Sequence, residues 1–239
     1  MAAVELTPYR RYRFNVRQYY AMAEAGILRP DEHVELLDGR ITNKWPVPGQ
    51  PCPPDDFQDR LFTVDEYYTM AEAGILAPDE RVELLDGRIY IMSPVGSPHA
   101  ACVDRLNQWL NRHVVGRAII RIQSPIHLGG RTEPEPDVAL LKRRDDFYAH
   151  AHPTPADVLL AIEVADTTLA TDRTIKLPLY ARHGINTAWI VNLPGSCVEV
   201  YSEPMPEGYR RSKRRTRGQT LDVPAFPDVS LSVNDVLGS

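Results

Sequence analysis

Three residues between positions 137 and 176 have types and settings that could do chemistry. Asp137 stands at the head of the apolar run VALL, Glu163 lies inside LLAIEVA, and Lys176 follows in TDRTIKLPLY. A carboxylate inside an apolar strand is costly unless it is paired, protonated or metal-bound. Two such acids can hold Mg²⁺ or Mn²⁺, hard ions that prefer oxygen ligands and keep several waters. An ion held this way neutralises phosphoryl charge and helps the attacking water and the leaving oxygen of a phosphodiester. A lysine close by can orient that water or stabilise the extra negative charge. Plainer roles stand beside these. Asp137 could be a turn-forming acid after Pro136, Glu163 could pair with an arginine such as Arg121, and Lys176 could be solvated near a helix end. Asp172 reads as a helix cap, and Tyr180 and Trp189 read as core.

The elements that must position these residues follow from periodicity. RAIIRIQS alternates like a strand, and PDVALLK is the next one. DVLLAIEVA is nearly all apolar and reads as a central strand covered on both faces. TLATDRTIKLPLYARHG is helical in part; Pro178 cannot sit deep in a helix, so Lys176 is expected near a helix start or a kink. Gly184 stops this helix, and TAWIVN is another buried strand. Upstream, Ser97 is expected to cap a helix with Pro98 at its first position. Cys102, Leu106, Trp109, Leu110 and His113 or Val114 recur at helical spacing until Gly116. The order helix, three strands, helix, strand predicts a mixed sheet with helices packed on it. The tail reads as a strand hairpin and a short last helix. Its basic run RRSKRRTR is read as a solvated strand face, with phosphate contact as the alternative.

The N-terminal third holds a duplication. FNVRQYYAMAEAGILRPDEHVELLDGRI from Phe14 repeats as FTVDEYYTMAEAGILAPDERVELLDGRI from Phe62. Each copy predicts a short helix, a turn and a hairpin. Thr63 with Glu66, and Asn15 with Gln18, form capping boxes. Gly26 and Gly74 are helix stops, and Asp38-Gly39 and Asp86-Gly87 are hairpin turns. The proline-rich NKWPVPGQPCPPDD between the copies is expected to be extended and semi-rigid. This divides the chain into 1–57, a partial duplicate with linker, and 58–239, the main domain. The first copy is read as a module that packs on the domain or mediates dimer contacts. In a sharper form, it competes with the second copy for one docking surface, as in domain swapping.

Composition narrows the classes. The 239 residues carry a net charge of −5, against strong non-specific nucleic-acid binding. No run of about 18 apolar residues predicts a membrane span, and the N-terminus has no apolar signal-peptide core. Three cysteines without CxxC spacing argue against a disulfide framework or a zinc knuckle and fit a cytoplasmic protein. His127, His150 and His152 lack ligand spacing with the acids, which disfavours a zinc enzyme.

From Phe62 onward the chain resembles the PD-(D/E)XK nuclease superfamily and, within it, the Uma family of putative restriction endonucleases. The matching stretches are VELLDGRIYIMSPVGSPHA, QSPIHLGGRTEPEPDVALL, DVLLAIEVADTTLATDRTIKLPLYARHGINTAWIVNL, and VEVYSEPMPEGYRR leading to DVSLSVNDVLG. The resemblance implies an α/β, restriction-endonuclease-like fold with an αβββαβ core, to which the helix-hairpin units and a C-terminal hairpin are added. It implies a metal-dependent DNA endonuclease using Mg²⁺ or Mn²⁺, with Asp137 and Glu163 as ligands. The superfamily lysine normally stands two residues after the glutamate, where this chain has Ala165; the family's later motif, Asp172-x-x-x-Lys176, moves the role to Lys176. Glu83 in VELLDG and His99 in SPHA match further motif positions, as an auxiliary metal ligand and a water- or phosphate-contacting group. Double-strand cutting by related folds implies a homodimer acting on DNA. The rival reading is a catalytically inactive module of the same fold that binds nucleic acid or a protein partner, since fold alone does not carry function.

Overall fold

The computed structural model describes residues 10–44 and 58–238. Most of the proline-rich linker, with its expected extended form, falls outside them. Contacts do not divide the chain at residue 57/58. One compact unit runs to Met92 and takes in Gly129–Glu133, and the other comprises Ser93–Leu128 and the chain from Pro134 onward.

The first unit contains both repeat copies. Its elements are β1 (Arg10–Arg11), α1 (Val16–Glu24), β2 (Val34–Leu37), β3 (Arg40–Asn43), α2 (Val64–Glu72), β4 (Val82–Leu85) and β5 (Arg88–Ile91). Both capping boxes form, Asn15 with Gln18 and Thr63 with Glu66. After each helix the chain turns through a left-handed glycine, Gly26 at φ 75° and Gly74 at φ 67°, a conformation that costs a side-chain-free residue little. Each hairpin closes on an Asp-Gly pair with both φ values positive, as a turn matched to strand twist requires. Gly87 has a second constraint, because a Cβ there would lie 2.7 Å from the Leu61 Cβ. Tyr12, Phe14, Met22, Ile27 and Ile41 share one core with Phe62, Met70, Ile75 and Ile89. The first copy therefore packs against the second.

The other unit is built on α3 (Ser97–Val114), β6 (Ala118–Ile122), β7 (Val138–Lys142), β8 (Val158–Ala165), α4 (Leu169–Thr171), α5 (Leu177–Arg182), β9 (Thr187–Asn192), β10 (Cys197–Met205), β11 (Gly208–Thr216), β12 (Thr220–Asp222), β13 (Ser230–Ser232) and α6 (Val233–Leu237). Six strands form one sheet in the order β11-β10-β9-β8-β7-β6. Only β8 and β9 run parallel, and the connection between them is the helical segment, as a parallel crossover demands. The expected αβββαβ core is present, with β8 central and almost wholly buried.

The core of this unit lies between one sheet face and α3. Cys102, Leu106, Leu110 and Val114 recur every four residues along one helix face, and all are buried against Val138, Leu140, Leu160, Ile162 and Val164. Full burial of each large aliphatic side chain stabilises by about 1.5–3 kcal/mol. Leu221, Val223, Phe226, Val229, Leu231 and Val236 of the tail close the same core. Arg105 of α3 donates to the carbonyls of Val236 and Leu237 at 3.0 and 3.1 Å, satisfying the open end of α6.

Two local expectations change. Gly96, not Ser97, occupies the N-cap of α3, and no side chain caps it; Ser97 and Pro98 are already inside the first turn. Pro98 has no N–H to leave unpaired there, so the helix starts without a side-chain cap. The segment around Lys176 is an α-turn, then a π-helical turn (Asp172–Lys176), then α5. The wider π turn ends just before Pro178, so the proline ring enters at the second position of α5, where its missing donor costs little.

Candidate active site on the central strands

The site is set by strand register. β7 and β8 are antiparallel with Val138 opposite Ile162, so one step along the ladder Asp137 comes opposite Glu163. Directly opposed residues point to the same sheet face with Cβ atoms about 4.5–5.5 Å apart. On that face Lys176 and Tyr180 of the crossover segment reach Glu163, while Asp137, at the strand end, is also reached by His99 from the first turn of α3. The apolar strand sequence puts the two acids there because Val138, Ile162 and Val164 must all turn toward α3.

Asp137 is 9 % exposed and is held by three donors. His99 Nε2 lies 3.0 Å from Oδ1, Gln123 Nε2 donates to Oδ1 at 3.1 Å, and the Val164 N–H donates to Oδ2 at 2.8 Å. The last contact replaces a ladder bond at the end of β7. Glu163 is 3 % exposed. Its Oε2 accepts from Lys176 Nζ at 3.3 Å, and its Oε1 accepts a short hydrogen bond from the Tyr180 hydroxyl. The Lys176 amine also donates to the Glu135 carbonyl at 3.3 Å. Lys176 is 1 % exposed, so it is no solvated helix-end lysine.

The two acids differ electrically. Burial pushes the Glu163 carboxyl well above the usual carboxylate range; Lys176 opposes this, and the charges of Asp172 and Asp137 add to it. Burial also works against the Asp137 charge, but the hydrogen bond and charge of His99, with Lys176 and the Val164 N–H, outweigh it and hold that pKa down. Burial disfavours the His99 cation, but Asp137, with Asp166 and Asp172, more than compensates and raises the imidazole pKa. Acidic neighbours pushed apart in this way are a recurring feature of functional sites.

Of the five residues singled out from sequence, the fold brings four into this unit's site: Asp137, Glu163, Lys176 and His99. Glu83 lies in the other unit, 1 % exposed on β4. The plainer pairing for Glu163 does not form. Arg121 turns to the Phe147 carbonyl and the His152 ring, not to Glu163.

Sequence reasoning gave three residues here no place in the site. Tyr180 is core, as expected, but its hydroxyl is spent on Glu163; its place four residues after Lys176, on the same helix face, was a usable signal. Gln123 reaches Asp137 because β6 and β7 pair with Ile122 opposite Val138, a register no local pattern announces. Asp172 is 2 % exposed, accepts from Thr168 Oγ1 at 2.6 Å, and adds negative potential at both Glu163 and His99.

The donor set fits a hard divalent cation. Asp137 and Glu163 present carboxylate oxygens from neighbouring strands, and Glu163 is an acid whose charge gains from more positive potential than Lys176 supplies. Among the described residues no three or more His, Cys, Asp and Glu side chains form a metal cage. An ion would rest on these two acids and water, the manner in which Mg²⁺ is commonly held.

No curated protein matches the sequence. The fold matches the crystal structure of a putative nuclease belonging to DUF820 from Anabaena variabilis ATCC 29413, with a TM-score of 0.55, 17% identity, and coverage of 74% of this chain and 97% of that one. That likeness concerns the fold. The sequence profile described as Uma2, putative restriction endonuclease, matches residues 64–234, from the start of α2 into α6. With the second repeat copy, the two strand acids and the crossover lysine all inside that match, the chain belongs to the Uma2 family of putative restriction endonucleases.

Proposed function

We propose that the protein is a metal-dependent endonuclease that hydrolyses phosphodiester bonds in DNA. The observation that carries this is the placement of Lys176. Its amine, arriving from the crossover helix, is 3.3 Å from Glu163 Oε2 on the face that Glu163 shares with Asp137. Ala165, at the usual lysine position, is fully buried. The crossover segment thus brings to the two acids the positive charge that the strand itself lacks.

A Mg²⁺ or Mn²⁺ ion on Asp137 and Glu163 would supply phosphoryl charge neutralisation and an activated water. The chain's own residues orient and carry charge. Gln123, His99 and the Val164 N–H fix Asp137, and Tyr180 fixes Glu163. Lys176 places a positive charge where negative charge grows during hydrolysis. His99, its cation favoured by Asp137, contacts water or phosphate. The family motif position of Glu83 supports an auxiliary role for it. The family's description as restriction endonucleases supports DNA as the substrate class. The exposed Arg210, Arg211, Lys213 and Arg214 of β11 are available for phosphate contacts. A homodimer would cut both strands. Cys102 and Cys197 are buried free thiols, consistent with a reducing cytoplasm, and no helix among the described residues is long and apolar enough to cross a membrane.

The test is calorimetric titration with Mg²⁺ and Mn²⁺ of the wild type and Glu163→Ala, paired with plasmid nicking. Metal binding lost in the variant, with metal-dependent nicking by the wild type, is the expected result. Equal binding by both proteins removes Glu163 from the site. Binding without cutting of any DNA or RNA favours the inactive module, the reading to which the displaced lysine also lends itself.

A further inference from the structure

The two repeat copies contact each other by a rule that the sequence offset makes visible. Tyr12 N–H donates to the Ile89 carbonyl of the second copy at 2.8 Å, and Arg60 N–H donates to the Ile41 carbonyl of the first at 2.8 Å. Adding 48 to Tyr12 gives Arg60, and subtracting 48 from Ile89 gives Ile41. In the same way Arg11 pairs with Tyr90 and Asp59 with Thr42. Each copy's lead-in strand thus completes the other copy's hairpin.

The side chains follow the same exchange. Tyr12 OH donates to Glu80 at 2.9 Å, and Gln18 Nε2 donates to the Tyr12 hydroxyl and the Ile75 carbonyl at 2.8 and 2.7 Å. At the equivalent place Arg60 donates to Glu66 at 2.6 Å, to Glu32 at 3.3 Å and to the Ile27 carbonyl at 2.8 Å. Phe14 and Phe62, equivalent residues, meet edge to face at 5.8 Å. Arg11 and Asp59, also equivalent, form an ion pair at 2.5 Å. Equivalent residues that touch one another lie on a two-fold axis, which is the signature of an isologous interface.

The second copy is complementary to itself. Paired with another second copy, Arg60 would face Glu80 of the partner subunit in place of Tyr12. The two Asp59 would meet, as Arg11 and Asp59 do here, each lying between Arg88 and the partner subunit's Arg88 so that two acids are matched by two arginines, and Phe62 would meet its own equivalent. Two first copies would instead bring four arginines, Arg11 and Arg40 of each chain, together with no acid at those positions. We propose that residues 58–92 are a two-fold dimerisation module whose partner is a second copy of the same segment, and that the first repeat copy is its tethered partner within the chain. Released from the first copy, the module pairs with another chain; while the first copy is seated, this face is closed to a second molecule. A homodimer of intact chains must then use a different face.

The test uses the full chain with Cys52→Ser and the pair Gln58→Cys and Ile91→Cys, uncharged positions that face Asn43 and Arg10 within the chain and would face each other in the intermolecular pairing. Light scattering and oxidative cross-linking are read together. With the first copy seated, the chain gives no dimer linked through the two introduced thiols. With the first copy displaced, separately by Phe14→Asp and by Tyr12→Pro, mass doubles and that cross-link appears. Arg60→Glu, which would face Glu80 of the partner subunit, returns the displaced chain to monomer. A displaced chain that is monomeric, or aggregated without this cross-link in both variants, overturns the proposal, as does the cross-link in a chain whose first copy is seated.

Discussion

The two copies of the repeat share VELLDGRI and end in different environments. In β2 only Val34 is buried, and Glu35 is partly exposed; in β4 every residue is buried, Glu83 included. The copies differ in what lies beside them. The segment Gly129–Glu133 runs along the second only, with Glu133 N–H donating to the Leu84 carbonyl and Gly87 N–H to the Arg131 carbonyl, each at 2.7 Å. Tyr68 of α2 holds Glu133 by a 2.5 Å hydrogen bond. Its counterpart Tyr20 is largely exposed. One strand sequence can thus become a covered strand or an edge strand, and the neighbouring chain decides which. The lead-in residues diverge too: one copy contributes neutral Tyr12 and Gln18, the other charged Arg60 and Glu66.

Substitutions made in pairs, one in each copy, sharpen this contrast. The largest effect sets the scale. Lys176→Met, outside both copies, is expected to lower metal-dependent nicking about 10²–10³-fold, the usual cost of losing one preorganised positive donor, with circular dichroism unchanged. Against it, Glu83→Gln should cost about 10–100-fold, as supporting residues of metal sites do, while Glu35→Gln should stay within about two-fold. Equal effects of the two, in the same nicking assay, would break the contrast.

Stability is the next measure. Leu84 is fully buried and Leu36 only partly. Leu84→Ala should lose about 2–5 kcal/mol in urea unfolding, the range for a core leucine, and Leu36→Ala about 1 kcal/mol. At the exchange contacts, Arg60→Met strands two carboxylates and should cost about 1–3 kcal/mol, while Tyr12→Phe should cost about 0.5–1.5 kcal/mol.

The smallest effect is a pH dependence that differs between the two sides. Burial alone would raise the Glu66 pKa, but the Arg60 hydrogen bonds and the Thr63 N–H outweigh it and hold the carboxyl below its ordinary 4.5. Asp59 is likewise held below its ordinary 3.8, with burial opposed by Arg40, Arg88 and Arg11. An acid whose folded pKa is depressed stabilises the fold above its unfolded pKa and loses that contribution as pH falls through the folded value. The urea midpoint should therefore fall below about pH 4.5, and Arg60→Met should flatten the part due to Glu66. On the Tyr12 side burial, with Glu80 adding to it against Gln18, raises the phenol pKa, a contribution lost as pH rises through the folded value, so Tyr12→Phe should alter the alkaline limb of the profile.

Much of this was legible locally. The capping boxes, the Asp-Gly hairpins and the left-handed glycines depend on side chains within a few residues of the backbone they serve. The strand acids were legible because an ionisable group in an apolar run is costly wherever that run is buried. The π turn before Pro178 followed in outline from the proline, though not its form.

The sequence by itself determined the elements, the αβββαβ order and the identity of Asp137 and Glu163, because each rests on short-range periodicity or on a chemical cost that no fold removes. Only the tertiary structure decided that Asp137 lies opposite Glu163, that Gln123 and Tyr180 hold them, and that the lead-in strands are exchanged between the copies. Those facts depend on register and on contacts across many residues, where a shift of one position turns every side chain to the other face.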